Sequence, residues 1–421
     1  MKILFIFWFI LLLHSSLLSD TRSDSLEQVI QAEETRSLYK QKSFFDKAIS
    51  FPGKVIFFPF DLVFSGISYG IYTVDESKII PKTRDFLISE DGKREVRPTY
   101  ISRIGAGLKY YQREILNPES RLLLLATYGL HHRQRYGIAL ERVVLSDLFY
   151  YSNYRALYEK LTTESFFGIG PNTEKNSKSN YTREMFGADI AVGMDLGKRF
   201  TLQALGGFEL NNILPGRDKD HPSLTELDDS ASLPGLEDQV NLFTLSLGFY
   251  SGTIDRPARP GRGYEVNAVS RFFQQVNANN FYFFKFSTDI RYYLPLFYQR
   301  VLMIRFASEL TDPLPGKDVP FYYLSELGEG ISFRGFERGR FRDFDLMMGS
   351  LEYRYPISSK LESILFTDAG QVSADIFSQY KSANWEFSIG AGIRYITSGG
   401  SVSKIELARS RDGYLVKITL N

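Results

Sequence analysis

The side chains best equipped for chemistry are charged and lie late in the chain. The segment GEGISFRGFERGRFRD, from Gly328 to Asp343, carries Arg334, Arg338, Arg340 and Arg342, and two carboxylates follow, Glu352 in SLEYRYPI and Asp368 in LFTDAGQV. A guanidinium presents five donors in a fixed fork, so one loop arginine can be held by carboxylates from two adjoining elements. Gly335 permits the tight turn that delivers Arg334, and Phe336 supplies a ring to pack on the wall of an enclosed interior. The same four arginines also suit a solvated basic loop. What separates the two is whether Glu352 and Asp368 face an enclosed interior.

Other chemistry is scarce. The chain has 421 residues, no cysteine and four histidines, which removes disulfides, thiolate metal sites and cysteine nucleophiles. A formal charge of +1 gives no field for steering nucleic acid, and none is expected as a partner. GISYG, Gly66 to Gly70, fits G-x-S-x-G and makes Ser68 a formal nucleophile with His131, His132 or His221 as base. That motif requires a strand–turn–helix on an α/β sheet, which the rest of the chain does not read as. The acidic segment at 212–239 lacks calcium-loop spacing and reads as a solvated surface loop. No catalytic, cofactor or metal site is expected.

The elements that must position these residues are strands. Aromatics make up 15% of the chain, yet mean hydropathy is −0.18, a pairing typical of transmembrane barrels, whose strands turn alternate residues to lipid and to lumen. Between Asn384 and Tyr395, Trp385, Phe387, Ile389 and Ile393 oppose Glu386, Ser388 and Arg394. Phe186, Ile190, Val192 and Leu196 oppose Arg183, Asp189 and Asp195 in the same way, and Tyr414, Val416, Ile418 and Leu420 share one face at the end. Glu352 shares a polar face with Arg354, opposite Leu351, Tyr353 and Tyr355, so alternation points it inward. Fifteen such runs are legible, the first spanning 99–112. At roughly 20 residues per tilted strand and connection, residues 98–421 have room for about sixteen. The expected fold is therefore an all-β, antiparallel transmembrane barrel of sixteen strands. A soluble sandwich also alternates but hides its apolar face under a second layer, and no such layer is legible.

Before the barrel, Lys2 followed by the apolar run Ile3 to Leu13 and a Ser-rich stretch reads as an export signal, assigned to 1–19. Residues 20–97 read as a short helical and interfacial periplasmic segment, polar at 24–48 and apolar but broken by Pro52 and Pro59 thereafter.

Taken in order, Arg334-Gly335-Phe336, Glu352-x-Arg354-x-Pro356 and Phe366-x-Asp368-x-Gly370, with FFGIGPNT at 166–173 and DRPARPGRGY at 255–264, resemble the BamA/TamA superfamily of outer-membrane barrels, the bacterial surface antigens. The resemblance covers roughly residues 98–421. It implies a loop folded back into the lumen and locked there by Arg334, Gly335, Phe336, Glu352 and Asp368. It also implies a bacterial outer-membrane location among lipids, and insertion or translocation of unfolded outer-membrane clients at a seam between the first and last strands. Seam candidates are Ile104, Gly105 and Gly107 on the first run and Ile418 on the last, the glycines serving either weak pairing or close packing. The pattern departs from that family in that 20–97 does not read as POTRA domains and the chain ends Thr419-Leu420-Asn421 without a terminal aromatic. The competing expectation is a transport or structural barrel with no assembly activity.

Overall fold

The structure, a computed structural model, describes residues 88–419 apart from 90, 102, 145–149, 228–231, 238, 257–258, 297–298, 330–331, 359 and 397–401. The leader, Ser68 and the helical stretch expected before residue 88 lie outside the described residues.

The strands run β1 Arg94–Ile101, β2 Gly105–Arg113, β3 Arg121–Tyr128, β4 Gln134–Val144, β5 Tyr150–Phe166, β6 Ser179–Leu196, β7 Phe200–Pro215, β8 Val240–Gly252 and β9 Gly263–Gln275. They continue as β10 Tyr282–Pro295, β11 Val301–Pro313, β12 Ser325–Leu327, β13 Phe341–Asp343, β14 Asp345–Pro356, β15 Leu361–Ser373, β16 Glu386–Ile396, β17 Val402–Ser410 and β18 Gly413–Thr419. All but β12 and β13 form one sixteen-stranded sheet in sequence order, and each ladder is antiparallel. The short pair β12–β13 lies within the β11–β14 connection. Among the described residues no helix is long and apolar enough to cross a membrane.

Alternation sorts the faces. Phe387, Ile389, Ile405, Leu407, Val416 and Ile418 are exposed on the outer surface, whereas Glu386, Ser388, Glu406 and Ala408, one position away, are buried. The sheet curls so that this second face encloses an interior. Arg340 donates from Nη1 to the Thr173 hydroxyl, in the β5–β6 connection, at 2.8 Å and from Nε to Asp412, in the β17–β18 turn, at 2.6 Å. One side chain reaches distant parts of the strand order only if the sheet bends round on itself. Among the described residues no ladder joins β1 to β18.

The sixteenth strand comes from the run at 99–112, which is two strands rather than one. A turn closed by Ile104 N–H on the Ile101 carbonyl at 2.8 Å separates β1 from β2. The turn is invisible to periodicity because outward positions stay even-numbered across it, Tyr100 and Leu108 both being exposed. The first strand accordingly starts at Arg94, inside the segment read as helical and interfacial.

The interior is filled with more apolar material than a wet lumen would hold. The connection after β7, expected as a solvated loop, buries Leu224 and Leu236 against Phe166, Tyr181, Phe321 and Tyr322. Leu224, Leu233 and Leu236 dock inward, while Leu227 stays exposed and Asp218 pairs with His221 at 2.9 Å near the surface. A second cluster joins Leu327, Phe333, Phe336, Phe341, Leu346 and Met348, tying the Arg-rich loop to β14.

Candidate functional site

Arg334 sits within that loop, and its side chain is 8% exposed. Gly335 follows at φ 85°, a left-handed conformation that costs an L-residue with a side chain roughly 1–2 kcal/mol. A Cβ there would lie 3.1 Å from Ser388 and 3.3 Å from Ala408 and Ser410, so the glycine lets the loop backbone rest against β16 and β17. The Ser410 hydroxyl donates to the Gly335 carbonyl at 2.6 Å. Phe336 is stacked on Phe333, with ring centroids 5.2 Å apart.

Around the fork, β14 and β15 supply acceptors from positions that alternation turns inward. Arg334 donates from Nε to Asp368 Oδ2 at 2.8 Å and from Nη2 to Asp368 Oδ1 at 2.7 Å. Its Nη1 donates to Glu352 Oε2 at 2.7 Å, and its backbone N–H to Asp368 Oδ2 at 3.1 Å. The guanidinium carbon lies 3.6 Å from the centroid of the Phe366 ring, a cation–π contact on the face left free by the in-plane hydrogen bonds. Burial opposes the charge of Arg334, but hydrogen bonding to Asp368 and the charges of Asp368, Glu352 and Glu406 outweigh it and raise the pKa above the ordinary arginine value.

Two partners escape a reading based on motifs. Ser350 Oγ accepts from Arg334 Nη2 at 2.8 Å and donates to Asp368 Oδ1 at 2.6 Å. Glu406, on β17, accepts from Nη1 at 3.3 Å. Both carried a signal, since Ser350 shares the parity of Glu352, and Glu406 lies between the outward-facing Ile405 and Leu407. A further arginine, Arg183, is bonded to Asn211 Oδ1 through Nη2 at 2.8 Å and lies 4.9 Å from the Tyr322 ring and 5.0 Å from the Tyr323 ring, anchoring the β11–β14 connection to β6.

The segment at 166–173 meets the loop directly. Gly170 N–H donates to the Arg342 carbonyl at 2.7 Å, and the Thr173 hydroxyl donates to the Arg340 carbonyl at 3.1 Å. Arg342 itself is fully buried, paired with Glu326 and donating to the Phe321 carbonyl at 3.1 Å. Arg334, Arg340 and Arg342 are thus buried, while Arg338 is partly exposed and faces Glu164 and Glu326 at 3.8 and 3.6 Å.

The seam candidates of the first run fall after the edge strand β1 and not on it. Ile104 is buried in the β1–β2 turn. Gly105 and Gly107 lie on β2, opposite Ile101 and Thr99 of β1 on one side, and Gly107 opposite Thr127 of β3 on the other. The backbone is close there: a Cβ on Gly105 would stand 2.2 Å from the Tyr128 carbonyl oxygen and one on Gly107 2.0 Å from that of Ala126. The edge at this end belongs to β1. Ile418 does lie on the last strand, exposed on its outer face.

His132 Nδ1 meets the Tyr128 hydroxyl, and His221 pairs with Asp218. Among the described residues no cluster of three His, Cys, Asp or Glu side chains could hold a metal ion.

Comparison with known proteins places this arrangement. Residues 120–405 match the Omp85 superfamily domain. BamA from Haemophilus ducreyi lacking POTRA domains 1–3 is similar in structure at a TM-score of 0.58 and 16% identity, over 78% of this chain and 69% of that one. CdiB from Acinetobacter baumannii and CdiB from Escherichia coli match at TM-scores of 0.48 and 0.47 with 12% identity, over 76% and 77% of this chain. This chain spans 57% and 60% of those two. At 16% identity what is shared with that BamA structure is the fold, an antiparallel transmembrane β-barrel.

Proposed function

This chain belongs to the Omp85 superfamily, and we propose that it works in the bacterial outer membrane, inserting or translocating other outer-membrane proteins at a lateral seam between β1 and β18. In this reading Arg334, Gly335, Phe336, Glu352 and Asp368 lock the loop inside the lumen, so that passage goes by the side of the barrel and not through its centre. Unfolded outer-membrane proteins are the clients and membrane lipids the surroundings; the chemistry is strand pairing, with no enzymatic step.

The observation that carries the proposal is the open pair of edges: among the described residues, β1 and β18 end the sixteen-stranded order with no ladder between them. Unpaired edge groups can template an incoming strand by β-augmentation. Pro98 within β1 fits an edge position, since proline has no N–H to give a ladder on both sides. The buried apolar clusters inside the sheet favour a plugged barrel over an open solute pore.

The test uses the absence of native cysteine. Tyr100→Cys is combined in turn with Tyr414→Cys, Val416→Cys and Ile418→Cys, all at outward positions, and the pair that oxidises is reconstituted in liposomes with an unfolded client barrel. The disulfide is expected to reduce client insertion by at least about tenfold, a rate loss worth some 1.4 kcal/mol of barrier, and reduction to restore it. Unchanged insertion through an oxidised seam contradicts the proposal.

A further inference from the structure

The Arg334 site continues toward the opposite rim of the barrel. Glu352 takes Arg334 on Oε2 and Arg354 on Oε1, the latter from Nε at 2.8 Å. Arg354 in turn donates from Nη1 to the Pro260 carbonyl at 3.4 Å and lies 5.3 Å from the Tyr293 ring. The residue before Pro260, Arg259, pairs through Nε with Glu362 Oε1, whose Oε2 accepts from Arg394 Nη1 at 2.9 Å. Pro260 and Arg259 belong to the β8–β9 connection. In an antiparallel order, connections after even strands up to β10 lie on one rim, and those after odd strands up to β11, the loop bearing Arg334 among them, on the other.

Arg354, Arg394, Glu352 and Glu362 are all under 9% exposed, so little water screens the steps between them. The connection is itself shaped to present these groups. Asp255 Oδ1 accepts from the Gly261 and Arg262 N–H groups at 2.8 and 3.3 Å, which folds the chain so that Arg259 reaches across to β15 and the Pro260 carbonyl reaches Arg354.

We propose that the β8–β9 connection at Arg259–Pro260 is a control point for the loop lock: displacing it from Glu362 and Arg354 at one rim loosens Arg334 midway along the wall. The inference rests on the lock reading given above. With the Pro260 carbonyl removed, Arg354 gains freedom to reorient, Glu352 follows it, and Arg334 is left with Asp368 as its main anchor. Linkage makes the coupling reciprocal, so freeing Arg334 loosens the connection to the same degree.

Hydrogen exchange on the full chain in lipid tests this. Arg259→Ala is expected to speed amide exchange across 332–343 by about tenfold, while Arg256→Ala, on the exposed part of the same connection, changes it less than about twofold. Arg334→Ala is expected to speed exchange at 259–263 in return. Arg259→Lys, which keeps the charge and loses the fork, gives an intermediate acceleration if Arg259→Ala does not assemble. The proposal is overturned if Arg334→Ala frees the loop while neither Arg259 variant does. If Arg334→Ala also leaves exchange at 332–343 unchanged, it is the lock that fails.

Discussion

Arg334→Ala is expected to destabilise the barrel by about 3 to 5 kcal/mol, the cost of removing one partner from a desolvated ion pair. Glu352, Asp368 and Glu406 are each 6% exposed or less at the side chain. Without the guanidinium they face one another, with Arg354 left on the far side of Glu352. The loop also gives up the cation–π contact with Phe366 and the side-chain hydrogen bonds to Asp368, Glu352 and Ser350. Denaturant unfolding of the reconstituted protein, followed by tryptophan fluorescence and by the mobility of the folded form on gels, reads the change as a lower midpoint. Arg334→Lys is expected to recover little, because an ammonium cannot reproduce three donors aimed at Asp368, Glu352 and Ser350. Both effects persist at high salt, since counterions screen buried pairs weakly.

The second large effect falls on Asp368. Its two oxygens accept from Arg334 Nε, Nη2 and backbone N–H and from the Ser350 hydroxyl, and its side chain is 0% exposed. Asp368→Asn turns one acceptor into a donor facing other donors and removes the charge that compensates Arg334, so a loss of about 3 to 5 kcal/mol is expected here too. Glu406→Gln is the contrast. Its contact with Arg334 is the long one at 3.3 Å, and a glutamine carbonyl can still accept it, which puts the expected cost near about 1 kcal/mol. Equal losses for the two variants would mean that the site senses only total charge and not the geometry of the fork. The double variant Arg334→Ala with Asp368→Ala is expected to cost much less than the two single losses added, because the groups act on each other.

Most of the barrel wall was legible because a strand exposes its period of two to two different solvents. Tyr414, Val416 and Ile418 read as outward from sequence alone, and so did the opposition of Glu352 to Leu351. The β1–β2 turn was not legible, for two physical reasons: its residues at 102–104 carry no Pro, Asn, Asp or Gly, and its length leaves the outward parity unbroken. What fills the lumen was also hidden. Leu224, Leu236, Phe321 and Tyr322 lie in connections with no strand or helix period, where burial depends on contacts distant in sequence. At the Arg334 site, sequence motifs led to Glu352 and Asp368, whereas Ser350 and Glu406 lay on the correct faces without a motif to single them out. Gly105 and Gly107 show the limit of reading function from glycine: their permissive backbone suits a weak edge or a tight contact equally, and a Cβ at either would meet backbone oxygens of β3.

The central claim, that the Arg334 loop lies bound against the inner wall, is tested most directly by the reactivity of one thiol. Ser388 is 3% exposed, with its Cβ 3.1 Å from where a Cβ on Gly335 would stand. Ser388→Cys is a conservative change and gives the chain a single cysteine. In lipid, that thiol is expected to react with a membrane-impermeant maleimide at least about a hundredfold more slowly than a free surface thiol, and to speed up in the Arg334→Ala background. Rapid labelling in the presence of an intact Arg334, unchanged by Arg334→Ala, would contradict it.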